Sequence, residues 1–330
     1  MRWFHDVIES NILFICYGYG NDDSESLKSY KESLSSYMKG LMTMNRIQKW
    51  IEPKQQIDEE RKLFSNQQLK LLIIPIIIEQ FLALLVGIAD TLMISYAGEA
   101  AVSGVSLVNQ LNNVFIMIFT ALASGGAVVA SQYVGSQDKK SGTLAASQLI
   151  MITTLISTFI VVVILFFGKN IFIFLFGQVE ADVLEAGLLY LRISAYSFIF
   201  LAIYNACAGL YRSMGKTKEL MNISLIMNAI NVLGNAIGIF VLHAGVAGVA
   251  YPSLISRVFA AIVMFLMAMN HQNAICIDIK KILKWNTHMI HRILYIAVPN
   301  SIENGLFQIS KVALSSIVAM FGTAQIAANG

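Results

Sequence analysis

The chain has 330 residues, of which 56% are hydrophobic and only 13% are charged, with a formal net charge of +3. Soluble domains usually carry about 25% charged residues, and a water-soluble core has no use for this much apolar surface, so the composition excludes an ordinary soluble protein. The small net charge gives no reason to expect a nucleic-acid partner. The three cysteines lie far apart and form neither a metal-ligand pattern nor a disulfide framework.

Residues 1–63 differ in composition from the rest of the chain. The stretch from Asn21 to Lys62 is rich in Ser, Lys, Glu and Gln, which is typical of a solvated tail. Its apolar patch, residues 12–19, is too short to cross a bilayer and follows two acids, which argues against a signal peptide. We expect a poorly ordered cytoplasmic tail that makes few contacts with the remainder.

From Leu69 onward, seven apolar segments are each long enough to cross a bilayer, whose hydrocarbon core is about 30 Å thick. They cover approximately residues 69–97, 103–134, 142–167, 184–210, 220–242, 246–270 and 293–321. Lipid offers backbone polar groups no partner, and these segments lack the alternation of barrel strands, so each is predicted to be a helix. The predicted fold class is an all-α membrane protein, a polytopic bundle of about seven transmembrane helices.

Basic residues concentrate in every second connection between these segments. They are Lys139, Lys140, Arg212, Lys216, Lys218, Lys280, Lys281, Lys284 and Arg292. Cytoplasmic loops of membrane proteins carry an excess of Lys and Arg, so these loops and the N-terminus are predicted to be cytoplasmic. The expected location is the plasma membrane.

The seventh segment repeats the first. Residues 72–106 align without a gap on residues 296–330, and Pro75 and Glu79 then match Pro299 and Glu303. Six spans separate the two copies, so both enter the membrane from the same side, as in the parallel repeats of some secondary transporters. The predicted organisation is a six-helix lobe at 64–270, a cytoplasmic inter-lobe loop at 271–292, and the first helix of an incomplete second lobe at 293–330.

Several short motifs occur in a suggestive order. They are Ala89-Asp90-Thr91 ahead of Gly98, GGAVVASQYVG from Gly125, YRSMGKTK from Tyr211, GVAGVAYPSLISR from Gly245, and FGTAQIAA from Phe321. Together they resemble the multidrug and toxic compound extrusion (MATE) family over about residues 64–330. The resemblance implies twelve helices in two lobes that export bulky organic cations in exchange for H⁺ or Na⁺. The chain departs from this plan in its tail and in lacking five helices of the second lobe, so we expect a truncated product or a fragment whose partner is the missing lobe.

Two acids lie within the first predicted span, where a charged side chain costs about 2.5–3.5 kcal/mol on insertion scales. Glu79 and Asp90 are separated by about three helical turns and so share one face. The repeat carries Leu314 in place of Asp90, which favours a specific task over packing, and Asp90 is the predicted cation-coupling residue. Glu79 recurs as Glu303, which favours packing or support of a helix kink.

Amides recur at helical spacing in two other spans. Asn228, Asn231 and Asn235 share a face of the fifth span, and Asn109, Asn112 and Asn113 share a face of the second. Such amides either line a polar cavity or bond across helices, and the residues alone leave both interpretations open. The family resemblance favours a cavity and places Asn231 and Asn235 near positions that often hold Asn and Asp. Gly234 and Gly238 beside them suit close helix packing.

Arg257 lies too deep in the sixth span to reach the surface easily, so we expect it to pair with an acid or with helix-end carbonyls in a mainly structural role. The complete set of cavity-lining candidates is Glu79, Asn109, Asn113, Asn231, Asn235, Arg257 and Glu303.

The sequence shows no nucleophile–base pair, phosphate-binding loop or redox motif, so an enzyme is not predicted. The predicted function is a secondary antiporter that exports small organic cations across the bilayer, with H⁺ or Na⁺ as coupling ion and no cofactor. One alternative is a lipid-linked saccharide flippase of the same superfamily, which should show more buried cationic residues. Another is a seven-helix receptor, which the internal N-terminus and the repeat oppose. A fragment without transport function is the third.

Overall fold

The computed structural model describes residues 66–177 and 179–319, and every regular element within them is helical. The predicted tail at 1–63 and the motif from Phe321 lie outside these residues. The helices are α1 (Asn66–Ser95), α2 (Glu99–Gly135), α3 (Lys139–Phe176), α4 (Ala181–Ser213), α5 (Thr217–Ala236), α6 (Ala247–Ala268), the short α7 (Ile279–Ile282) and α8 (Thr287–Ala319). A π-helical turn, Ile237–Val241, extends α5.

Six of these helices, α1 to α6, are long and apolar enough to cross a membrane. The prediction of an all-helical membrane bundle is therefore confirmed. The seventh predicted span corresponds to α8, which is 33 residues long but is not among those six. Its described part carries three charged residues, Arg292, Glu303 and Lys311, and several amides, which lower its mean hydropathy.

The bundle is organised around α2 and α4, which share the most extensive helix contact. On this axis Phe119 and Phe198 are both fully buried, with ring centroids 6.0 Å apart. Helices α3 and α6 also pack on α4, and α5 lies against α6. Apolar side chains such as Phe159, Phe166 and Phe174 are exposed on the outside. This arrangement is the one a lipid environment allows, since the outer surface can be as apolar as the core.

Helix α1 is the least embedded of the six. It packs mainly on α5 and leaves Leu71, Phe81 and Leu84 more than half exposed. Helix α3, by contrast, begins with a capped turn, in which the Ser141 N–H donates to Asp138 Oδ1 at 3.0 Å. Hydrogen bonds from Ser141 hold the pKa of the exposed Asp138 carboxyl below its usual value.

The segment predicted as an inter-lobe loop, 271–292, is largely structured. It contains α7, and α8 already begins at Thr287, six residues before the predicted span. The side chain of Gln148, fully buried in α3, holds it in place. Gln148 Nε2 donates to the carbonyls of Lys281 at 2.8 Å and Lys284 at 2.7 Å, and its Oε1 accepts from the Asn286 N–H at 2.9 Å. The segment is thereby fastened to the end of the six-helix unit.

Candidate functional site

A cavity of about 620 Å³ lies between α1, α2, α4, α5 and α6. Its wall combines apolar side chains with a large polar set. The polar residues are Asp90, Thr91, Ser106, Asn109, Gln110, Asn112, Asn113, Tyr190, Asn228, Asn231, Ser253, Ser256 and Arg257. A polar, partly charged chamber inside an apolar bundle is costly to form and points to a ligand site.

Helical periodicity explains which side chains reach the chamber. On α1 the lining residues Ala83, Gly87, Asp90 and Ile94 recur every three or four positions. The same spacing aligns the amides of α2 and those of α5. Of the amides predicted to line a cavity, Asn109, Asn113 and Asn231 are among the residues that line this chamber.

Asp90 is held by a hydrogen-bonded relay that crosses three helices. Asn235 Nδ2 on α5 donates to Asp90 Oδ1 at 2.6 Å and also contacts Asn231 Oδ1 at 3.3 Å. Asn231 Nδ2 in turn donates to Ser253 Oγ on α6 at 2.9 Å. The relay orients the half-buried carboxylate. Across residues 66–177 and 179–319 no second hydrogen bond to Asp90 is found, so its other oxygen is available to a ligand.

Arg257 also lines the chamber, and its environment differs from the predicted one. Its Nη1 donates to Ser197 Oγ on α4 at 2.6 Å, and Ser197 Oγ donates to the Ser194 carbonyl at 2.6 Å. No carboxylate of the described chain lies within 4.0 Å of the guanidinium. The expected pairing with an acid or a helix-end carbonyl is therefore wrong, because a serine hydroxyl takes that place.

The other candidates lie elsewhere. Glu79 is buried but does not line the chamber, and it accepts a hydrogen bond from Arg212 at 3.0 Å. Asn235 sits behind the wall, one hydrogen bond away from it through Asp90. Glu303 belongs to α8, and its side chain lies outside the described residues.

Sequence reasoning did not single out Ser197, Ser253 or Tyr190. Serine is common in membrane helices, and a hydroxyl gains significance only from the residue that it contacts. Ser253 precedes Arg257 by one turn, and this spacing was the available signal that both face the same side.

The amino-acid sequence of the chain matches a known family. The MatE family model matches residues 75–237. The chain is 30% identical over 252 residues to the uncharacterized transporter YisQ of Bacillus subtilis, an alignment that covers 75% of this chain and 55% of that one. It is 24% identical over 281 residues to the probable multidrug resistance protein NorM of Thermotoga maritima, covering 82% and 57% respectively.

The fold also matches a solved structure. The inward-facing structure of a multidrug resistance MATE family transporter of the MOP superfamily superposes with a TM-score of 0.69 at 19% identity, over 78% of this chain and 59% of the other. The chain spans about half the length of the curated relatives it matches. The chain belongs to the MATE family of multi-pass membrane transporters.

Proposed function

We propose that the chamber binds a small organic cation and that Asp90 exchanges this cation for the coupling ion, H⁺ or Na⁺, in the manner of a secondary antiporter. The observation that supports this is the position of Asp90. It is the one carboxylate among the chamber-lining residues of the described chain, and Asn235 holds it in a fixed orientation at 2.6 Å.

The exchange of substrate for coupling ion follows from the negative charge of the Asp90 carboxylate. A carboxylate within the membrane interior is stabilised by a neutralising cation, and a proton, a sodium ion or an organic cation can each fill that role. One carboxylate cannot accept two of them fully at once, so their binding is competitive. Competition at a single site is the thermodynamic coupling that antiport requires, since each ligand lowers the affinity for the other.

The remaining wall suits a drug-sized molecule. A volume of about 620 Å³ lies within the range of about 300–1,000 Å³ typical of small-molecule sites. The amides offer both donors and acceptors and do not repel a positive charge. A lipid-linked pyrophosphate would require several cationic side chains, and Arg257 is the single cation on the described wall, so the exporter is favoured over the flippase.

Orientation completes the proposal. The structured segment that carries Lys280, Lys281 and Lys284 lies at the same end of the bundle as Lys139, because Lys139 Nζ donates to the His271 carbonyl at 2.7 Å. By the positive-inside rule this end is proposed to face the cytoplasm.

The binding test uses the full chain in lipid nanodiscs and the fluorescence anisotropy of the cationic dye rhodamine 123. Asp90→Asn keeps the shape of the side chain but removes its charge, and we expect it to weaken dye binding at least about tenfold, equivalent to about 1.4 kcal/mol. Glu79→Gln is the matched control, because Glu79 is an acid of the same helix outside the chamber. It should leave dye affinity unchanged.

Coupling is tested with the same protein in proteoliposomes. Lower pH or added Na⁺ should weaken dye binding to the unaltered chain and have little effect on Asp90→Asn. An imposed gradient of the effective ion should drive dye movement only when Asp90 is present. Equal dye affinity in the unaltered chain and in Asp90→Asn would remove Asp90 from the mechanism.

A further inference from the structure

We infer that Arg257 forms a subsite for an anionic group, so that the chamber prefers zwitterionic substrates, with the cationic end at Asp90 and a carboxylate at Arg257. This inference rests on the proposed function, because it assigns a second polar contact to the same ligand. It starts from the incomplete set of partners around the guanidinium.

A guanidinium has five N–H donors and binds carboxylates through two of them in parallel. Arg257 uses Nη1 on the Ser197 hydroxyl, a neutral partner, and the described chain brings no carboxylate within ion-pair distance. Charges inside membrane bundles are normally paired. The charge of Arg257 therefore faces the chamber without an anion of the described residues in contact with it.

The chamber keeps its two charges apart. Asp90 on α1 is bound to Asn235 on α5, whereas Arg257 on α6 is bound to Ser197 on α4. The opposite charges attract each other across the chamber without forming an ion pair. Each of these hydrogen-bond partners is a neutral group on a different helix. Each occupies only part of the charged group, so the remainder can bind a ligand. A cation site and an anion site are thus held in fixed positions before a ligand arrives.

The chamber that Arg257 lines contains a further unpaired donor. Asn228 on α5 lines the same chamber and has a buried Nδ2 without a hydrogen-bond partner among the described residues. An amide and a guanidinium in one chamber are complementary to carboxylate oxygens.

Two opposite charges in one chamber predict which ligands bind more tightly. A molecule that carries only positive charge meets Asp90 favourably but leaves Arg257 unpaired and repelled. A molecule that carries only negative charge is repelled by Asp90. A zwitterion satisfies both, so the added carboxylate should increase affinity rather than reduce it.

Two dyes that differ in one group provide the test. Rhodamine 110 has a free carboxylate, and rhodamine 123 is its methyl ester, with the same cationic ring system. Anisotropy titrations at neutral pH use the full chain in nanodiscs. We expect the unaltered chain to bind rhodamine 110 about tenfold more tightly than rhodamine 123, equivalent to one charge-assisted hydrogen-bonded pair. Arg257→Gln should abolish this preference, and Arg257→Lys should retain part of it.

The outcomes separate the two proposals. Equal affinity of the unaltered chain for both dyes overturns the anion subsite, and this measurement does not depend on whether any variant folds. A preference that persists in Arg257→Gln overturns it as well. If rhodamine 123 still requires Asp90 in either case, the proposed cation site stands. If neither dye binds the unaltered chain, the proposed function fails and the subsite fails with it.

Discussion

The Glu79 carboxylate on α1 accepts a hydrogen bond from the Arg212 guanidinium, near the end of α4, at 3.0 Å. Because α1 otherwise packs mainly on α5, this ion pair is a direct link between α1 and α4. Pro75, also buried, precedes Glu79 by about one turn and cannot donate a backbone hydrogen bond. The ion pair therefore secures the helix close to the position where its own backbone bonding is interrupted.

Replacing Glu79 by Gln should lower the stability of the bundle without altering the chamber. The amide can still accept from Arg212, but the charge-assisted bond is lost, at a cost of about 1–2 kcal/mol. Arg212 is partly exposed, and solvent screening limits the loss. Thermal unfolding in detergent, followed by intrinsic fluorescence, measures it. A cycle with Arg212→Gln should show coupling between the two positions, whereas strictly additive effects would exclude the link.

Replacing Asn235 by Ala should weaken the binding of a cationic dye less than Asp90→Asn does. The variant removes the 2.6 Å donor to Asp90 Oδ1 but keeps the carboxylate. Loss of a charge-assisted hydrogen bond costs about 1.5–3 kcal/mol. Only part of this energy reduces dye affinity, because the carboxylate remains but is no longer held in its binding orientation. Rhodamine 123 affinity should fall several-fold. A loss as large as that of Asp90→Asn would mean that Asn235 binds the ligand itself.

Replacing Gly238 by Ala should separate the ends of α5 and α6. A Cβ on Gly238 would overlap the carbonyl oxygen of Gly248, and a Cβ on Gly248 would lie 2.7 Å from that of Gly238. Both clashes involve backbone, so overpacking should cost about 1–3 kcal/mol or more. Gly135→Ala is the control, since a Cβ there meets no atom within 4 Å. Equal melting temperatures for the two variants would contradict the close approach, which the sequence had indicated through Gly234 and Gly238.

Hydropathy and helical period account for much of the fold. They predict the six spanning helices, because long apolar segments need a lipid environment and 3.6-residue periodicity sets their polar faces. The predicted ends of helices are wrong where a charged residue was taken as the end of a span. The third span was predicted to end at residue 167, before Lys169, yet α3 continues to Phe176. The exposed Lys169 is tolerated there, because a long side chain can place its charge at the membrane surface.

Hydropathy and helical period do not predict which side chains on different helices bond to each other. Periodicity places Asn231 and Asn235 on one face, but the bond from Asn235 to Asp90 joins residues 145 positions apart. Charge arguments predicted an acid or helix-end carbonyls as the partner of Arg257, whereas the structure supplies the hydroxyl of Ser197. A single sequence contains the periodicity of each helix but not the rotation of one helix against another, and that rotation decides which polar groups meet.

Orientation is testable by labelling single cysteines from outside intact cells. In a cysteine-free background, Glu180→Cys should react with an impermeant maleimide and Lys140→Cys should not, because the basic connections are proposed to be cytoplasmic. Both positions are exposed in the structure, so access should depend on the side of the membrane. Permeabilised cells provide the control, in which both should react. Labelling of Lys140→Cys alone in intact cells would invert the topology.

Replacing Gln148 by Leu should release the segment that joins α6 to α8. Leucine keeps the approximate volume and suits an apolar helix, but it removes both donors to the carbonyls of Lys281 and Lys284 and the acceptor for the Asn286 N–H. Local opening then needs less free energy, since about three hydrogen bonds, each worth about 0.5–1.5 kcal/mol, no longer resist it. Lys280, Lys281 and Lys284 make this opening visible, because trypsin cleaves after lysine only when the backbone is accessible.

Limited trypsin digestion of the full chain in detergent, followed by mass spectrometry, should show faster cleavage at these three lysines in Gln148→Leu. Cleavage within the same segment is compared with Gln272→Ala, an exposed position whose side chain does not fasten the segment. Cleavage at Lys140, an exposed residue in the first turn of α3 and outside the segment, serves as the internal reference for general unfolding. If every site accelerated equally, the variant would have destabilised the bundle as a whole. If none did, the three bonds of Gln148 would not be what holds the segment closed.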